Sequence, residues 1–257
     1  MSDQQPPAVP DTCRNNSPLT DSPLPDKSRS IEDSIVAARL RLERALAAAG
    51  RAPDDARLLA VGKKKPASAL EQAFEAGQRH FGENYLQEAL EKQVALNHLT
   101  SICWHYIGAI QSNKTRDIAE HFDWVHTVDR IKIARRLSDA RPADQGPLNI
   151  CLQVNISHEP AKAGVEPEAL EALAREVLKL PGLRLRGLMA LPAPSDDPTA
   201  QRRPFADMKA LLRTLSERHP EAALDTLSMG MSGDLEAAVA EGATVVRLGT
   251  ALFGSRS

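Results

Sequence analysis

The stretch Leu58-Leu59-Ala60-Val61-Gly62-Lys63 is a short apolar run that leads directly into a lysine. A buried β-strand usually ends in turn residues, but this run ends in three consecutive lysines followed by Pro66. In parallel α/β folds, ligands bind at the carboxyl ends of the strands. A partly desolvated lysine there can lose its proton and attack a carbonyl carbon to form a Schiff base. Lys63 is therefore a candidate nucleophile, with a solvated basic turn as the alternative interpretation.

The composition sets the class of protein. With 257 residues, of which 42% are hydrophobic, the chain can bury one sizeable core. A net charge of −2 gives no reason to expect nucleic acid or an anionic membrane as a partner. Three widely spaced cysteines without a CxxC motif argue against a disulfide framework and against a zinc site, so no metal is expected. No apolar run has membrane-spanning length and no signal peptide is visible, which predicts a soluble cytoplasmic protein.

Residues 1–30 differ in composition from the rest of the chain. Prolines alternate there with Asp, Ser, Asn and Gln, and hydrophobic residues are few. Such a segment cannot bury enough apolar surface to offset the entropy lost on ordering, which predicts a disordered tail. Ser30 and Asp33 then precede a helical pattern in the manner of a capping box. Residues 31–257 are predicted to form the folded domain.

From residue 31 onward, short β-rich runs alternate with segments rich in Ala, Leu, Glu and Arg. The predicted strands are Leu58–Val61, His80–Gly82, Ile102–Ile107, Trp124–Val128, Leu148–Ile156, Leu183–Leu191, Leu224–Met229 and Thr244–Leu248. The helical segments include Ala67–Ala76, Tyr85–Val94, Arg130–Asp139, Pro167–Lys179, Pro204–Arg218 and Asp234–Glu241. This alternation predicts a single α/β domain of the (β/α)8 TIM-barrel type. A doubly wound open sheet is the alternative, because periodicity alone does not close a sheet.

In a closed barrel, the carboxyl ends of the strands meet at one mouth. The residues predicted there are largely polar: Lys63, Glu83, Asn84, His105, Gly108, His126, Asp129, Asn155, Met189, Met229–Ser232 and Arg247–Thr250. Such residues after nearly every hydrophobic strand are difficult to attribute to packing, so the sequence predicts a functional site at this mouth. His105 and His126 are interpreted as hydrogen-bonded wall residues rather than as catalytic bases.

Two glycine-containing loops predict a phosphate site. Ser228-Met229-Gly230-Met231-Ser232-Gly233 leads from the seventh strand into a helix, and Gly249-Thr250 follows the eighth strand. Glycine lets the backbone approach a ligand closely, and hydroxyl and free N–H groups bind phosphate oxygens. The loops after strands seven and eight of such barrels frequently hold phosphate. Ordinary turn chemistry is the alternative, but the lysine on the first strand favours the phosphate interpretation.

A phosphate anchor combined with an amine suggests a phosphorylated aldehyde or ketone as the ligand. Two chemistries fit: pyridoxal 5′-phosphate (PLP) held as a cofactor, or a phosphosugar processed by a Schiff-base aldolase. Arg247 favours PLP, because it precedes the second glycine loop by two residues and is predicted to point into the barrel. A permanent cation there keeps a pyridine nitrogen unprotonated and so limits carbanion chemistry.

These residues resemble the YggS/PROSC family of PLP-binding proteins, which are related to the barrel domain of alanine racemase. The matching segments are Leu59–Pro66, Phe81–Glu88, Trp104–Gly108, Gln111–Lys114, Arg186–Met189, Leu227–Asp234 and Val246–Gly254. They span residues 31–255 in the order of the family. The resemblance implies an alanine racemase-like barrel of PLP fold type III.

The resemblance also implies how the cofactor is held. Lys63 is expected to carry PLP as a Schiff base, and Arg247 to face the pyridine nitrogen. Gly249 and Thr250, with Ser228 or Ser232, are expected to hold the phosphate. The complete set predicted to contact the cofactor is Lys63, Asn84, Met189, Ser228, Ser232, Arg247, Gly249 and Thr250.

The lysine motif departs from the family pattern, since Gly62-Lys63-Lys64-Lys65 stands where the family has Ser-Lys-Thr-Lys. Lys64 is therefore a competing amine. Alternation along an extended strand puts Lys63 and Lys64 on opposite sides. Residues two apart share a side, so Lys63 is expected to point into the barrel together with Val61. Lys63 is the predicted Schiff-base lysine.

By the same resemblance, the expected function is intracellular PLP (vitamin B6) homeostasis, as a monomeric reservoir or carrier that supplies PLP-dependent apoenzymes. Racemases of this barrel type have an added β-domain that provides a second acid/base, and this chain stops after Phe253-Gly254. We therefore expect a PLP-binding protein that is not an enzyme. A PLP-dependent amino-acid racemase and a Schiff-base phosphosugar aldolase are the alternatives.

Overall fold

Eight parallel strands form a closed barrel in the order in which they occur in the chain. In the computed structural model, which describes residues 29–159 and 163–254, strands β1 to β8 are Arg57–Val61, His80–Glu83, Cys103–Tyr106, Trp124–Val128, Leu148–Gln153, Leu183–Met189, Thr226–Ser228 and Val245–Leu248. β1 pairs with β2 on one side and with β8 on the other. The predicted eight strands and the closed barrel are confirmed, and the open-sheet alternative is wrong.

The folded part begins at the predicted capping pair. Helix α1 is Ile31–Ala48, and the backbone N–H of Asp33 donates to the hydroxyl oxygen of Ser30 at 3.1 Å. The Ser30 hydroxyl in turn donates to the Asp33 carboxylate at 2.7 Å. The predicted tail, residues 1–30, lies outside the described part of the chain except for Arg29 and Ser30.

Helices α2 to α8 lie between consecutive strands, and the short helix α9 follows β8. Helices α2 to α9 are Ala67–Glu75, Leu86–Ala95, Thr115–His121, Ile131–Ala140, Leu170–Val177, Pro198–Arg218, Leu235–Ala240 and Thr250–Phe253. The main hydrophobic cluster joins buried residues of these helices to the outward-facing side chains of the strands, as Leu70 of α2 and Ala60 of β1 illustrate. None of the helices described here has both the length and the apolar composition needed to cross a bilayer.

Helix α7 begins earlier than the sequence pattern predicts. The sequence predicts a helical segment Pro204–Arg218, but the helix extends from Pro198 to Arg218 with Pro204 inside it. The carboxylate of Asp197 accepts the backbone N–H of Thr199 at 3.1 Å, and Pro198 occupies the first turn. An N-cap followed by proline is a favourable helix start, and it outweighs the hydrogen bond that Pro204 removes.

The inside of the barrel is partly apolar and partly polar. Its apolar side chains form two clusters, one of Leu59, Val61, Ile107 and Val245 and one of Trp124, Cys151 and Met189. Four inward polar residues, His105, His126, Ser228 and Arg247, are each at most 4% exposed. Barrel interiors are usually filled by branched apolar residues, so this polar group needs a chemical explanation.

Gly108 allows a close approach of two strand-end loops. A Cβ atom at this position would lie 1.9 Å from the backbone oxygen of Asn84. We expect Gly108→Ala to lower the free energy of unfolding by about 3 kcal/mol, because one of the two backbones must move. Urea unfolding checks this against Gly233→Ala, where no atom lies within 4 Å of the added Cβ. Equal midpoints for the two variants would contradict the predicted close packing.

Candidate functional site

A cavity of about 400 Å³ opens at the carboxyl ends of the strands. Among its lining residues are seven predicted ones: Lys63, Asn84, Met189, Ser232, Arg247, Gly249 and Thr250. The others are Val61, Lys65, Ile107, Leu191, Met231, Gly233 and Gly254. The eighth predicted residue, Ser228, does not line the cavity; it is fully buried inside the barrel.

Several polar residues at or near strand ends are also absent from the lining. They are Glu83, His105, His126, Asp129 and Asn155. His105 and His126 point into the barrel interior, and the amide of Asn155 donates to the Glu166 carboxylate at 2.7 Å. The cavity therefore uses only part of the predicted set of strand-end polar groups, because His105 and His126 face the barrel interior and Asn155 is bonded to Glu166.

A tight turn presents Lys63 to the cavity. β1 ends at Val61, and the backbone N–H of Lys65 donates to the Gly62 oxygen at 3.0 Å. Lys64 is exposed, with a left-handed φ of 59°, and does not line the cavity. The predicted separation of Lys63 from Lys64 therefore exists, but a turn produces it rather than strand alternation.

The two lysines that do line the cavity differ in their partners. The amine of Lys65 donates to the Phe253 backbone oxygen at 2.8 Å. Within residues 29–159 and 163–254, the Lys63 amine has neither a hydrogen bond nor an ion pair. Of the two amines, that of Lys63 is the one positioned to react with a ligand.

Arg247 places a buried positive charge at the cavity. Its guanidinium donates to the Ser228 hydroxyl oxygen and to the Ala190 backbone oxygen, both at 2.9 Å. Burial lowers the pKa of Arg247 from 12.5 to about 10, so the group stays protonated near neutral pH. No carboxylate of the described residues lies within ion-pair distance of this guanidinium. A buried cation without a counter-ion favours a ligand that offers an acceptor.

Asn84 offers a hydrogen-bond acceptor that has no partner. Its side-chain Nδ2 lies 3.5 Å from the backbone oxygen of Ile107. Its Oδ1 is buried and has no hydrogen-bond partner among the described residues. Because leaving a buried acceptor unpaired costs free energy, a ligand hydroxyl at the cavity wall would stabilise this arrangement.

The two glycine loops both contribute to the cavity wall. Ser232 and Gly233 follow β7, and Gly249 and Thr250 follow β8. The backbone N–H of Arg247 donates to the Gly230 oxygen at 3.0 Å, which ties the loop after β7 to β8. Two hydroxyl groups and glycine backbone therefore converge where the sequence predicts a phosphate.

Behind Arg247, three imidazoles form a hydrogen-bonded row that we call the histidine chain: His80, His105 and His126. The His126 Nδ1 lies 2.7 Å from Ser228 Oγ, and its Nε2 lies 2.9 Å from His105 Nδ1. His105 Nε2 lies 3.0 Å from His80 Nδ1. Burial, followed by the charge of Arg247, lowers the pKa of His126 to about 3, so the imidazole is neutral.

The cation of Arg247 is linked to this chain through Ser228. Arginine can only donate, so Ser228 Oγ accepts from Arg247, and its hydroxyl proton is available for His126 Nδ1. The tautomers of the three imidazoles decide which nitrogen donates in the contacts of His126 with His105 and of His105 with His80. The sequence analysis interpreted His105 and His126 as hydrogen-bonded wall residues, but it did not identify His80 or Ser228 as their partners.

The histidine chain ends beside a cysteine at the amino end of the barrel. Ligand atoms of His80, Cys103 and His105 lie within 4.8 Å of one another, although the sequence indicated no metal site. His105 Nε2 already lies 3.0 Å from His80 Nδ1, so a metal ion would have to compete with this hydrogen bond. Burial raises the pKa of the Cys103 thiol to about 12, which also opposes metal binding as a thiolate.

Glu83 takes part in an ionic cluster outside the cavity. Its carboxylate is fully buried, and its Oε1 accepts from the Lys92 ammonium at 2.8 Å. Burial raises the pKa of Glu83 from 4.5 to about 7, although Lys92 acts in the opposite direction. Sequence reasoning missed Lys92; the spacing of Glu88 and Lys92 on one helix face was the available signal.

Comparisons with known proteins agree with this geometry. The family profile described as "Alanine racemase, N-terminal domain" matches residues 38–257. The pyridoxal phosphate homeostasis protein of Pseudomonas aeruginosa is 58% identical over 227 residues, which are 88% of this chain and 96% of that protein. The structure of PipY from Synechococcus elongatus with PLP bound has a TM-score of 0.78 and 38% identity, and covers 88% of this chain and 100% of its own. Alanine racemase from Corynebacterium glutamicum shares the fold, with a TM-score of 0.65, 17% identity, and coverage of 87% of this chain and 61% of that one.

The raised pKa of Glu83 predicts a pH-dependent stability. Between about pH 4.5 and 7, the Glu83 carboxyl group is protonated in the folded protein and ionised in the unfolded chain. The free energy of unfolding therefore falls as pH rises, and the stabilisation present at low pH is lost once pH exceeds about 7. Across this pH range, the free energy of unfolding of wild type should fall by on the order of 3 kcal/mol relative to that of Glu83→Gln. The buried histidines act in the opposite sense, so urea unfolding must compare the two proteins at each pH. A constant difference would contradict the prediction.

Proposed function

Because the chain belongs to the alanine racemase N-terminal domain family, as a relative of its pyridoxal phosphate homeostasis proteins, we propose that it binds PLP in the strand-end cavity and acts in PLP homeostasis. One observation carries this proposal. The same cavity contains the Lys63 amine, which has no partner among the described residues, and the buried Arg247 cation, which has no carboxylate partner among them. An aldehyde that also carries a ring acceptor and a phosphate satisfies both groups.

Each polar wall of the cavity suits one part of PLP. Lys63 would hold the aldehyde carbon of PLP, with loss of one water molecule. Arg247 would donate to the pyridine nitrogen, and Asn84 Oδ1 would accept from a ring hydroxyl. Ser232 and Thr250 would offer hydroxyls to the phosphate, and Met189, which lines the same cavity, would face the ring. When bound, PLP supplies an electrophilic carbon and an electron-accepting ring.

The protein's own residues favour storage over turnover. Racemisation needs an acid/base group on each face of the reacting carbon. No His, Asp, Glu, Tyr or Cys is among the described residues that line the cavity, and Lys65 donates to a backbone oxygen. The Arg247 cation keeps a pyridine nitrogen unprotonated and so weakens the ring as an electron sink. We propose a non-catalytic, monomeric cytoplasmic reservoir or carrier whose recipients are PLP-dependent apoenzymes.

Ser228 has a supporting role in this proposal. Its hydroxyl bonds Arg247 and His126, and it lies below the cavity rather than in its wall. Ser228 therefore orients the cation that meets the ring, and Ser232 is the serine that faces the phosphate. Of the two serines predicted as phosphate ligands, Ser232 keeps that role and Ser228 holds Arg247.

A visible absorbance band after addition of PLP tests the Schiff base. We expect wild type to turn yellow and to bleach with borohydride, with the reduced adduct on Lys63 in a peptide map. Lys63→Ala should show no such band, because its amine is gone, and Lys64→Ala should behave as wild type, since Lys64 lies outside the cavity. An adduct on Lys64 or Lys65 would disprove the assignment to Lys63. A colourless wild type would disprove PLP binding and favour a phosphosugar.

Thr250 tests the phosphate end of the cavity. We expect Thr250→Val to weaken PLP binding by about tenfold, since a hydrogen bond to a charged group is lost. Binding of pyridoxal, which has no phosphate, should be unchanged. Equilibrium titrations with both ligands measure the difference. A similar loss for both ligands would show that Thr250 acts on the fold of the cavity rather than on the phosphate.

A further inference from the structure

Lys92 is a buried lysine whose three ammonium protons all have acceptors. It lies on α3, is 5% exposed, and does not line the cavity. Its Nζ donates to the Gly62 backbone oxygen at 2.7 Å, to Glu83 Oε1 at 2.8 Å and to Glu88 Oε1 at 2.6 Å. One of these three partners is the backbone of the turn that carries Lys63.

The same cluster also holds the turn on the other side of Lys63. Glu88 Oε1 accepts the backbone N–H of Lys64 at 2.5 Å. Lys64 has a φ of 59°, a conformation that residues other than glycine adopt rarely because it costs free energy. The contact from Glu88 therefore stabilises a strained residue, and the residues before and after Lys63 are both bonded to this cluster.

The absence of a side chain at Gly62 makes room for the cluster. A Cβ atom there would lie 2.5 Å from Glu83 Oε1 and 3.0 Å from Leu70 Cδ1. Glu83 and Glu88 share the single ammonium of Lys92, and Glu83 Oε2 has no hydrogen-bond partner among the described residues. Removing Lys92 would leave the Gly62 oxygen, the buried Glu83 side chain and the Glu88 side chain without their shared donor, so the turn depends on this ammonium.

We infer that Lys92, with Glu88, is a positioning residue for Lys63. The ammonium fixes the Gly62–Lys65 turn, and the fixed turn limits how readily the Lys63 amine leaves its place at the cavity wall. Combined with the proposed function, on which this second part rests, Lys92 sets the rate at which bound PLP is released.

Chemical modification of the cofactor-free protein tests the first part. Trinitrobenzenesulfonate reacts with amines, and peptide mass spectrometry gives the reaction rate at each lysine. We expect Lys92→Met to raise the rate at Lys63 about threefold, because the turn loses its anchor. Exposed Lys132 serves as the internal reference and should react at the same rate in both proteins. An unchanged rate at Lys63 would overturn the inference.

The rate of PLP release tests the second part. After dilution of the loaded protein, decay of the visible band should be about tenfold faster for Lys92→Met than for wild type, since small displacements of a reacting group change rates strongly. Lys92→Arg keeps the charge and several donors, so its rate should lie between the two. Lys132→Met removes a surface charge and should match wild type. Equal release rates for Lys92→Met and wild type would overturn the inference.

Glu88→Ala is a second variant that tests the same inference if Lys92→Met does not fold. This substitution removes the contact with the Lys64 backbone while leaving the Lys92–Glu83 pair in place. Glu88 is half-buried, so the variant should fold, and we expect release about threefold faster than wild type. A wild-type rate would contradict the inference. If wild type shows no visible band with PLP, the proposed function fails, and the modification rates alone decide whether Lys92 positions Lys63.

Discussion

The pairing of β1 with β8 is the contact on which the site depends. Leu59 lies opposite Arg247 and Ala60 lies opposite Leu248, so the turn after β1 lies beside the loop after β8. The fit is close, since a Cβ atom at Gly249 would lie 3.3 Å from the Val61 backbone oxygen. In an open sheet these strands would be far apart, and Lys63 and the glycine loop after β8 would belong to different edges. Closure of the barrel therefore creates the site.

The two buried cations, Lys92 and Arg247, differ in how completely the protein compensates their charge. Lys92 has three acceptors for its three protons, including two carboxylates, so its charge is compensated by the protein. Arg247 has two neutral acceptors and no carboxylate within the described residues, so its charge is compensated only in part. An incompletely paired buried charge at a cavity is typical of a binding site, whereas a saturated one is typical of a structural element.

The histidine chain follows from the same cation. Burial and the charge of Arg247 keep His126 neutral, and the Ser228 hydroxyl links the Arg247 guanidinium to His126 Nδ1. Neutral imidazoles that bond one another are compatible with a buried interior, because each donor meets an acceptor. The polar interior of this barrel is therefore a consequence of placing an arginine at its carboxyl end, and it keeps that arginine in position.

The sequence by itself determined the order of strands and helices, the lysine at the end of β1 and the two glycine loops, because local hydrophobic periodicity and turn chemistry encode them. It did not determine that Ser228 bonds Arg247 or that Lys92 donates to the Gly62 oxygen. It also did not determine that a turn, rather than alternation along a strand, keeps Lys64 out of the cavity. These facts depend on which side chains meet across elements that are distant in the chain. Only closure of the barrel and the packing of α3 against it decided them, since long-range contacts are set by three-dimensional geometry and leave no periodic signal in the sequence.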